Sequence, residues 1–100
     1  MTAAPAFAVD ADGASTLRPR GALVFATARE ALAQLIARLP AGGSMAVDLS
    51  QVDGDSAGLA VLIEWRAEAN RRGVHLRYGG ANAGLRALAR LSDLDAELFG

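Results

Sequence analysis

The sequence predicts a single α/β domain, in which a small mixed β-sheet of about four strands is packed by about four helices. Its 100 residues are enough for one hydrophobic core but not for two. Hydrophobic residues make up 52% of the chain and aromatic residues only 5%, so the core is aliphatic. Segments whose apolar residues have the spacing of a strand are followed by segments with the spacing of a helix. Their succession gives the order β-β-α-β-α-β-α-α. The domain fills residues 1–100, with residues 1–5 expected to be disordered.

The first element is a predicted β-hairpin. Phe7-Ala8-Val9 is short and apolar, residues 10–13 have turn chemistry, and Ser15-Thr16-Leu17 resumes an extended pattern. Pro19 and Gly21 predict that the second strand either breaks there or lies at an edge of the sheet, because proline cannot donate to a strand ladder.

The next element is a predicted amphipathic helix. Thr27 and Glu30 have the spacing of a capping box, in which the threonine hydroxyl bonds the third amide and the glutamate reaches back. One apolar stripe follows at i, i+3, i+4 and i+7, formed by Leu32, Leu35, Ile36 and Leu39. Pro40 and the glycines after it end the helix, and residues 45–49 predict a buried strand.

A second helix is predicted from about Ser56 to Arg72, after a polar loop over residues 50–55. One side of this helix is apolar and the other carries charged residues. Val61 and Trp65 lie at the border between the two sides. They either close the edge of the core or offer an apolar contact to a partner.

The last third of the chain predicts one strand and two helices. Gly73 ends the second helix, and residues 74–78 alternate as a strand. A third helix starts near Asn82, and residues 92–95 can cap a short fourth helix. Strands joined through helices predict parallel pairing with right-handed crossovers, to which the opening hairpin adds an antiparallel pair.

The composition excludes several classes of function. Ten arginines against eleven acidic residues give a net charge of -1, which does not favour binding to nucleic acid. The chain has no lysine and no cysteine, which removes lysine-based phosphoryl transfer and thiolate chemistry. Its one histidine cannot build a histidine-rich metal site. We therefore expect no cofactor and no metal.

Membrane insertion is not predicted either. The longest apolar run in a helical context, residues 59–63, is far shorter than the roughly 20 residues that a spanning helix needs. The N-terminal residues lack the basic start and long apolar stretch of a signal peptide. A cytoplasmic location is the expectation.

Residues 54–58 match the G-x-S-x-G pattern of a nucleophile elbow, but the surrounding sequence contradicts that interpretation. A serine nucleophile needs a histidine base, and the only histidine, His75, lies within a predicted strand. An elbow also turns directly after its strand, whereas five residues separate Leu49 from Asp55. No catalytic residue is therefore predicted.

The same segment has a structural interpretation. Either Asp55 or Ser56 can cap the second helix by accepting hydrogen bonds from its first amides. A hydroxyl at this helix end faces the positive end of the dipole, which favours a phosphate there. Asp48 and Asp53 have the spacing of metal ligands but no third acid nearby, so we expect them to cap loops.

Residues 47–59, with the sequence VDLSQVDGDSAGL, resemble the signature of STAS domains, the fold of bacterial anti-sigma factor antagonists. The predicted order of strands and helices agrees with this family over nearly the whole chain. In STAS domains the hydroxyl residue directly after the aspartate is the regulatory phosphorylation site or its equivalent. The resemblance makes Ser56 the candidate phosphorylation site.

Two departures from the antagonists point to a branch of that family. Residues 20–27 lack the acidic Gly-Glu-Leu/Ile-Asp stretch, and no fifth strand is predicted after the third helix. The Gly-x-Leu-x-Phe-x-Thr pattern of residues 21–27, the tail over residues 85–91 and the short C-terminus are similar to the MlaB-type STAS subunits of phospholipid ABC transporters. These subunits maintain outer-membrane lipid asymmetry in Gram-negative bacteria. An anti-sigma factor antagonist controlled by phosphorylation at Ser56 is the alternative.

The MlaB resemblance implies a non-catalytic regulatory subunit that binds an MlaF-like ATPase subunit, and through it the permease. It implies a cytoplasmic location, peripheral to the inner membrane. The expected partner-binding surface joins the helix start to its outward side, and consists of Asp55, Ser56, Ala57, Gly58, Ala60, Val61, Glu64 and Trp65.

Overall fold

The structure is a computed structural model that describes residues 7–99, and it confirms the α/β class. The predicted disorder of residues 1–5 lies outside the described residues. The elements are β1 (Phe7–Ala11), β2 (Thr16–Leu23), α1 (Ala28–Ala37), β3 (Gly43–Asp48), β4 (Gln51–Gly54), α2 (Ser56–Arg71), β5 (Val74–Gly79), α3 (Ala83–Leu91) and α4 (Asp95–Phe99).

The strands form one mixed sheet, with the order β1-β2-β3-β5 and with β4 paired to β2 beside the end of β3. The β1–β2 hairpin is antiparallel and every other pairing is parallel, as predicted. Within the described part of the chain the sheet has five strands rather than about four, because residues 51–54 form β4 inside the segment predicted as a polar loop. Val52 is the one buried residue of β4, so the sequence carries almost no strand pattern there.

Strand β2 corrects the prediction for Pro19 and Gly21. The strand runs through both residues without a break and lies in the interior of the sheet. Its pairing with β3 covers positions up to Leu17, and its pairing with β4 begins at Arg20. Because Pro19 lies in the gap between these two partners, the ladder does not need its missing N–H. Gly21 has a φ of 107°, which glycine adopts without strain.

One face of the sheet packs against the helices and forms an aliphatic core. Buried and exposed positions alternate along the strands, as with Val74 and Leu76 on either side of exposed His75. Trp65 is the largest fully buried side chain. Among residues 7–99, two large hydrophobic residues remain exposed, Phe25 at 85% and Leu91 at 86%.

The start of α1 differs from the predicted capping box. Thr27 occupies the N-cap position, but its side chain makes no capping hydrogen bond. The hydroxyl instead donates to the Ala22 carbonyl at 2.7 Å and accepts from the Val24 N–H at 3.0 Å. The threonine is therefore used to hold the turn that joins β2 to α1.

A candidate docking surface at the start of the second helix

Helix α2 begins at Ser56, and Asp55 is its cap. Asp55 has extended backbone angles, and its carboxylate accepts hydrogen bonds from the N–H groups of Ala57 at 2.9 Å and Gly58 at 3.2 Å. Two of the free amides of the first turn are thus satisfied by one side chain. Of the two predicted alternatives for the cap, the structure shows Asp55.

Ser56 is left without a structural task. It is the first residue of the helix and is exposed, and its hydroxyl makes no hydrogen bond to any residue between 7 and 99. It lies at the positive end of the α2 dipole, where an acceptor or an anion is favoured. Its hydroxyl is available to a partner or to a modifying enzyme.

Gly58 fixes how closely α2 approaches the sheet. The residue is buried, and a Cβ atom built on it would lie 2.2 Å from the Leu23 carbonyl oxygen. The same carbonyl accepts the N–H of Asp55 at 3.4 Å. Gly58 thus belongs to the predicted surface only indirectly, because it sets the position of Asp55 and Ser56.

A shallow apolar groove of about 370 Å³ runs between α1 and α2, beside Ser56. Its lining consists of Ala28, Arg29, Leu32, Ala57, Ala60, Val61 and Glu64. Three alanines keep it open, so a partner can approach the helix backbone closely. Arg29 and Glu64 add one charge of each sign, and neither forms an ion pair within residues 7–99.

Val61 and Trp65, at the border between the apolar and charged sides of α2, lie in different surroundings. Val61 is 4% exposed and forms part of the groove floor. Trp65 is fully buried, with its ring centroid 5.8 Å from that of Tyr78. This corrects the expectation that the Trp65 side chain contacts a partner, since packing against Tyr78 and the core leaves none of it at the surface.

Tyr78 and Arg66 complete the packing behind Trp65. The Tyr78 hydroxyl donates to the Leu62 carbonyl at 2.5 Å, and burial raises the pKa of this phenol well above its usual range. The Arg66 guanidinium lies 4.5 Å from the centroid of the Tyr78 ring. These residues join α2 to β5 and α4, and they do not line the groove.

Phe25 is an exposed residue of this region that is not among the residues predicted for the docking surface. It lies in the turn held by Thr27, two residues after Leu23, whose carbonyl contacts the start of α2. Its exposure follows from its position in the turn between β2 and α1 rather than within a strand. That position is the signal that could have found it, because loop side chains are usually at the surface.

Of the two acidic residues expected to cap loops, Asp48 and Asp53, only Asp48 accepts a backbone N–H within residues 7–99. Asp48 accepts the Ser50 N–H at 2.9 Å, and this bond, together with the Ser50 hydroxyl and Arg18, holds the pKa of Asp48 below its ordinary value. Asp53 accepts from the Asn82 side chain, which also caps α3. No group of three or more metal-binding side chains occurs within residues 7–99.

The arrangement does not support the hydrolase interpretation. Ser56 follows the carboxyl end of β4, whereas His75 is the second residue of β5. β4 and β5 belong to the parallel part of the sheet, so their carboxyl ends lie at the same end of the sheet. His75 lies near the amino end of β5 and is therefore at the opposite end of the sheet from Ser56. The geometry of the surface suits docking and covalent modification of an exposed hydroxyl.

Comparisons with known proteins agree with the fold and the signature. A family model described as "Mlab, STAS domain" matches residues 7–100. A crystal structure of an anti-sigma factor antagonist from Mycobacterium paratuberculosis is 25% identical, with a TM-score of 0.59. The match covers 97% of this chain and 87% of the antagonist. No curated protein matches the chain. Among residues 7–99, no helix is long and apolar enough to span a bilayer.

Proposed function

The chain belongs to the STAS domain family, and we propose that it is a non-catalytic regulatory and assembly subunit of a phospholipid ABC transporter of the Mla type. A STAS regulatory role follows from the family itself. The Mla assignment is supported by the description of the matching model and by residues 20–27, which lack the acid that antagonists carry there.

One observation carries the proposal. The exposed hydroxyl of Ser56 lies at the start of α2, directly beside an apolar groove lined by small residues. A hydroxyl without a hydrogen-bond partner in residues 7–99 and an open groove suit a flat protein partner. A small substrate is usually bound in an enclosed cavity. We propose that this surface binds the ATPase subunit and through it supports the permease.

Affinity capture tests the assignment. A tagged copy of the chain, expressed in its native host, should retain an ABC ATPase together with its membrane permease. Recovery of a sigma-regulating kinase without an ATPase would overturn the proposal. Neighbouring genes offer an independent observation, since permease and ATPase genes favour the transporter and an anti-sigma factor gene favours the alternative.

Substitution of Ala60 tests the surface itself. Ala60 lies one turn after Ser56 and is exposed in the groove, so Ala60→Arg should leave the melting temperature within about 2 °C of the wild type. It should weaken ATPase binding by a factor of about 30 or more, which corresponds to about 2–5 kcal/mol, because bulk and an unpaired charge enter the interface.

Ala87→Arg is the matched control, since Ala87 is an exposed alanine of helix α3. It adds the same side chain outside the groove and should bind the ATPase like the wild type. Normal folding and normal binding of Ala60→Arg would show that the groove is not the interface.

The second candidate function is that of an anti-sigma factor antagonist. The Mycobacterium paratuberculosis structure favours it, because it covers almost the whole chain. In this case the partner kinase would phosphorylate Ser56, and the phosphoserine would cause this chain to dissociate from the kinase. Incubation with an anti-sigma kinase and ATP, followed by mass spectrometry of the Ser56 peptide, separates the two functions.

A further inference from the structure

Arginines contact the open sides of two edge strands of the sheet, β1 and β5. Within residues 7–99, β1 and β5 each have a strand partner on one side only. The open side of such a strand presents free N–H and C=O groups to which another strand can pair. In this structure Arg38 donates to the Val9 carbonyl at 3.1 Å, and Arg66 donates to the Leu76 carbonyl at 3.2 Å.

Pro19 determines which carbonyls of β1 point outward. Val9 is the register partner of Pro19 in the hairpin. Because Pro19 has no N–H, the two residues form a pair without mutual hydrogen bonds, and the Val9 backbone groups point away from β2. Phe7 and Ala11 share this orientation, since the direction repeats every two residues. The acceptors that Arg38 and Gln34 contact are those of Val9 and Phe7.

The two edges differ in how fully they are covered. At β5 the Arg66 guanidinium also bonds the backbone carbonyls of Glu97 and Leu98, so α4 lies against that edge. At β1, among residues 7–99, the outward carbonyls accept hydrogen bonds only from Arg38, the C-cap of α1, and from Gln34 of α1 at a long 3.5 Å. The closure of β1 therefore depends mainly on Arg38.

We infer that Arg38, assisted by Gln34, keeps the β1 strands of two copies of this chain from pairing. Antiparallel pairing about Val9 would place Val9 opposite Val9 and Asp10 opposite Ala8. No like charges would face each other in this register, so the strand is compatible with a copy of itself. The arginine occupies the carbonyl that such a pairing needs, and it keeps the chain monomeric. This property is independent of the transporter proposal.

A methionine pair tests the inference. Gln34→Met/Arg38→Met keeps the apolar stems of both side chains and removes their donors, so the fold is retained. We expect self-association at least about tenfold tighter than in the wild type, with a dimer as the defined product. Sedimentation velocity over a concentration series measures it. Circular dichroism and the fluorescence of Trp65 check that the variant is folded.

A control variant and a hydrogen-exchange measurement test whether the association occurs through β1. Arg29→Met adds the same hydrophobic side chain at an exposed position of α1 without touching β1, and it should stay monomeric. In the dimer, the outward amides of Val9 and Ala11 should exchange more slowly with deuterium than in the wild type. A monomeric double variant, equal association of Arg29→Met, or unchanged exchange at these amides would each overturn the inference.

Discussion

Asp55 and Ser56 are neighbours with separate tasks. The Asp55 carboxylate holds two amides of α2, whereas the Ser56 hydroxyl holds none within the described residues. Stability and partner binding therefore depend on different side chains at the same helix end. This separation makes it possible to change one property without the other.

The first prediction uses this separation. Asp55→Ala should lower the free energy of unfolding by about 0.5–2 kcal/mol, the usual cost of losing an N-cap. Ser56→Ala should change it by less than about 0.5 kcal/mol, as for other surface substitutions. Urea denaturation followed by Trp65 fluorescence measures both. A larger loss for Ser56→Ala than for Asp55→Ala would contradict this division.

Ser56→Asp extends the test to binding. The acidic side chain lies at the positive end of the α2 dipole but beside the Asp55 carboxylate, so stability should stay within about 0.5 kcal/mol of the wild type. Binding to the ATPase should weaken by a factor of ten or more, since the interface receives an unmatched charge. Thermal melts and calorimetric titration measure the two effects. Binding equal to the wild type would show that Ser56 is not in the interface.

Asp48 predicts a pH dependence. Its pKa is lowered from 3.8, chiefly by the Ser50 N–H and further by the Ser50 hydroxyl and Arg18. A carboxyl with a lowered folded pKa contributes stability above its unfolded pKa and loses it as the pH falls through the folded value. The stability difference between wild type and Asp48→Asn should thus be present at neutral pH and narrow below pH 3.8. A difference that stays constant with pH would contradict this.

At the scale of elements, the sequence predicts those helices and strands that have a clear apolar periodicity. Helix α2 is found within one residue of its predicted span, because its apolar pattern and caps agree. Strand β4 is missed, since its pairing with β2 is a tertiary contact that four residues with one buried valine do not signal. The Thr27 side chain is misassigned for a related reason. Spacing shows which bonds a side chain can make, not which of several it makes.

The contact of α2 with β2 gives a prediction at this scale. Gly58→Ala places a methyl group 2.2 Å from the Leu23 carbonyl oxygen, so the helix has to move. We expect a loss of about 1–3 kcal/mol, as for other overpacked sites, despite the better helix propensity of alanine. Displacement of α2 should also weaken partner binding.

Gly84→Ala is the matched control, because Gly84 lies in α3 and its new methyl group would come no closer than 3.4 Å to Asn82 Oδ1. There the propensity gain should dominate and stabilise the chain by up to about 1 kcal/mol. Opposite signs for the two alanines, measured by denaturation, are the expected result. A stabilising Gly58→Ala would show that the helix start adapts freely.

At the scale of the whole molecule, Arg66 joins parts that are distant in sequence. From the middle of α2 it bonds the Leu76 carbonyl of β5 and the carbonyls of Glu97 and Leu98 in α4, and it covers the Tyr78 ring. The sequence shows only an arginine within an apolar sector. Its partners lie ten and more than thirty positions away, so no local pattern could have identified them.

Helix α4 depends on this residue. A helix of five residues is too short to be stable alone, so tertiary contacts must hold it. Arg66→Met keeps the packing stem but removes the bonds to three carbonyls, and α4 should open locally before the rest of the chain unfolds. Hydrogen exchange at the Leu98 amide, which bonds the Leu94 carbonyl, should accelerate at least tenfold, while the core strands keep their protection.

Arg71→Met removes an exposed ion pair with Glu68 from helix α2, which also carries Arg66, and should leave this exchange unchanged. Equal exchange at Leu98 in Arg66→Met and the wild type would show that the apolar contacts of Leu98 alone hold the helix in place.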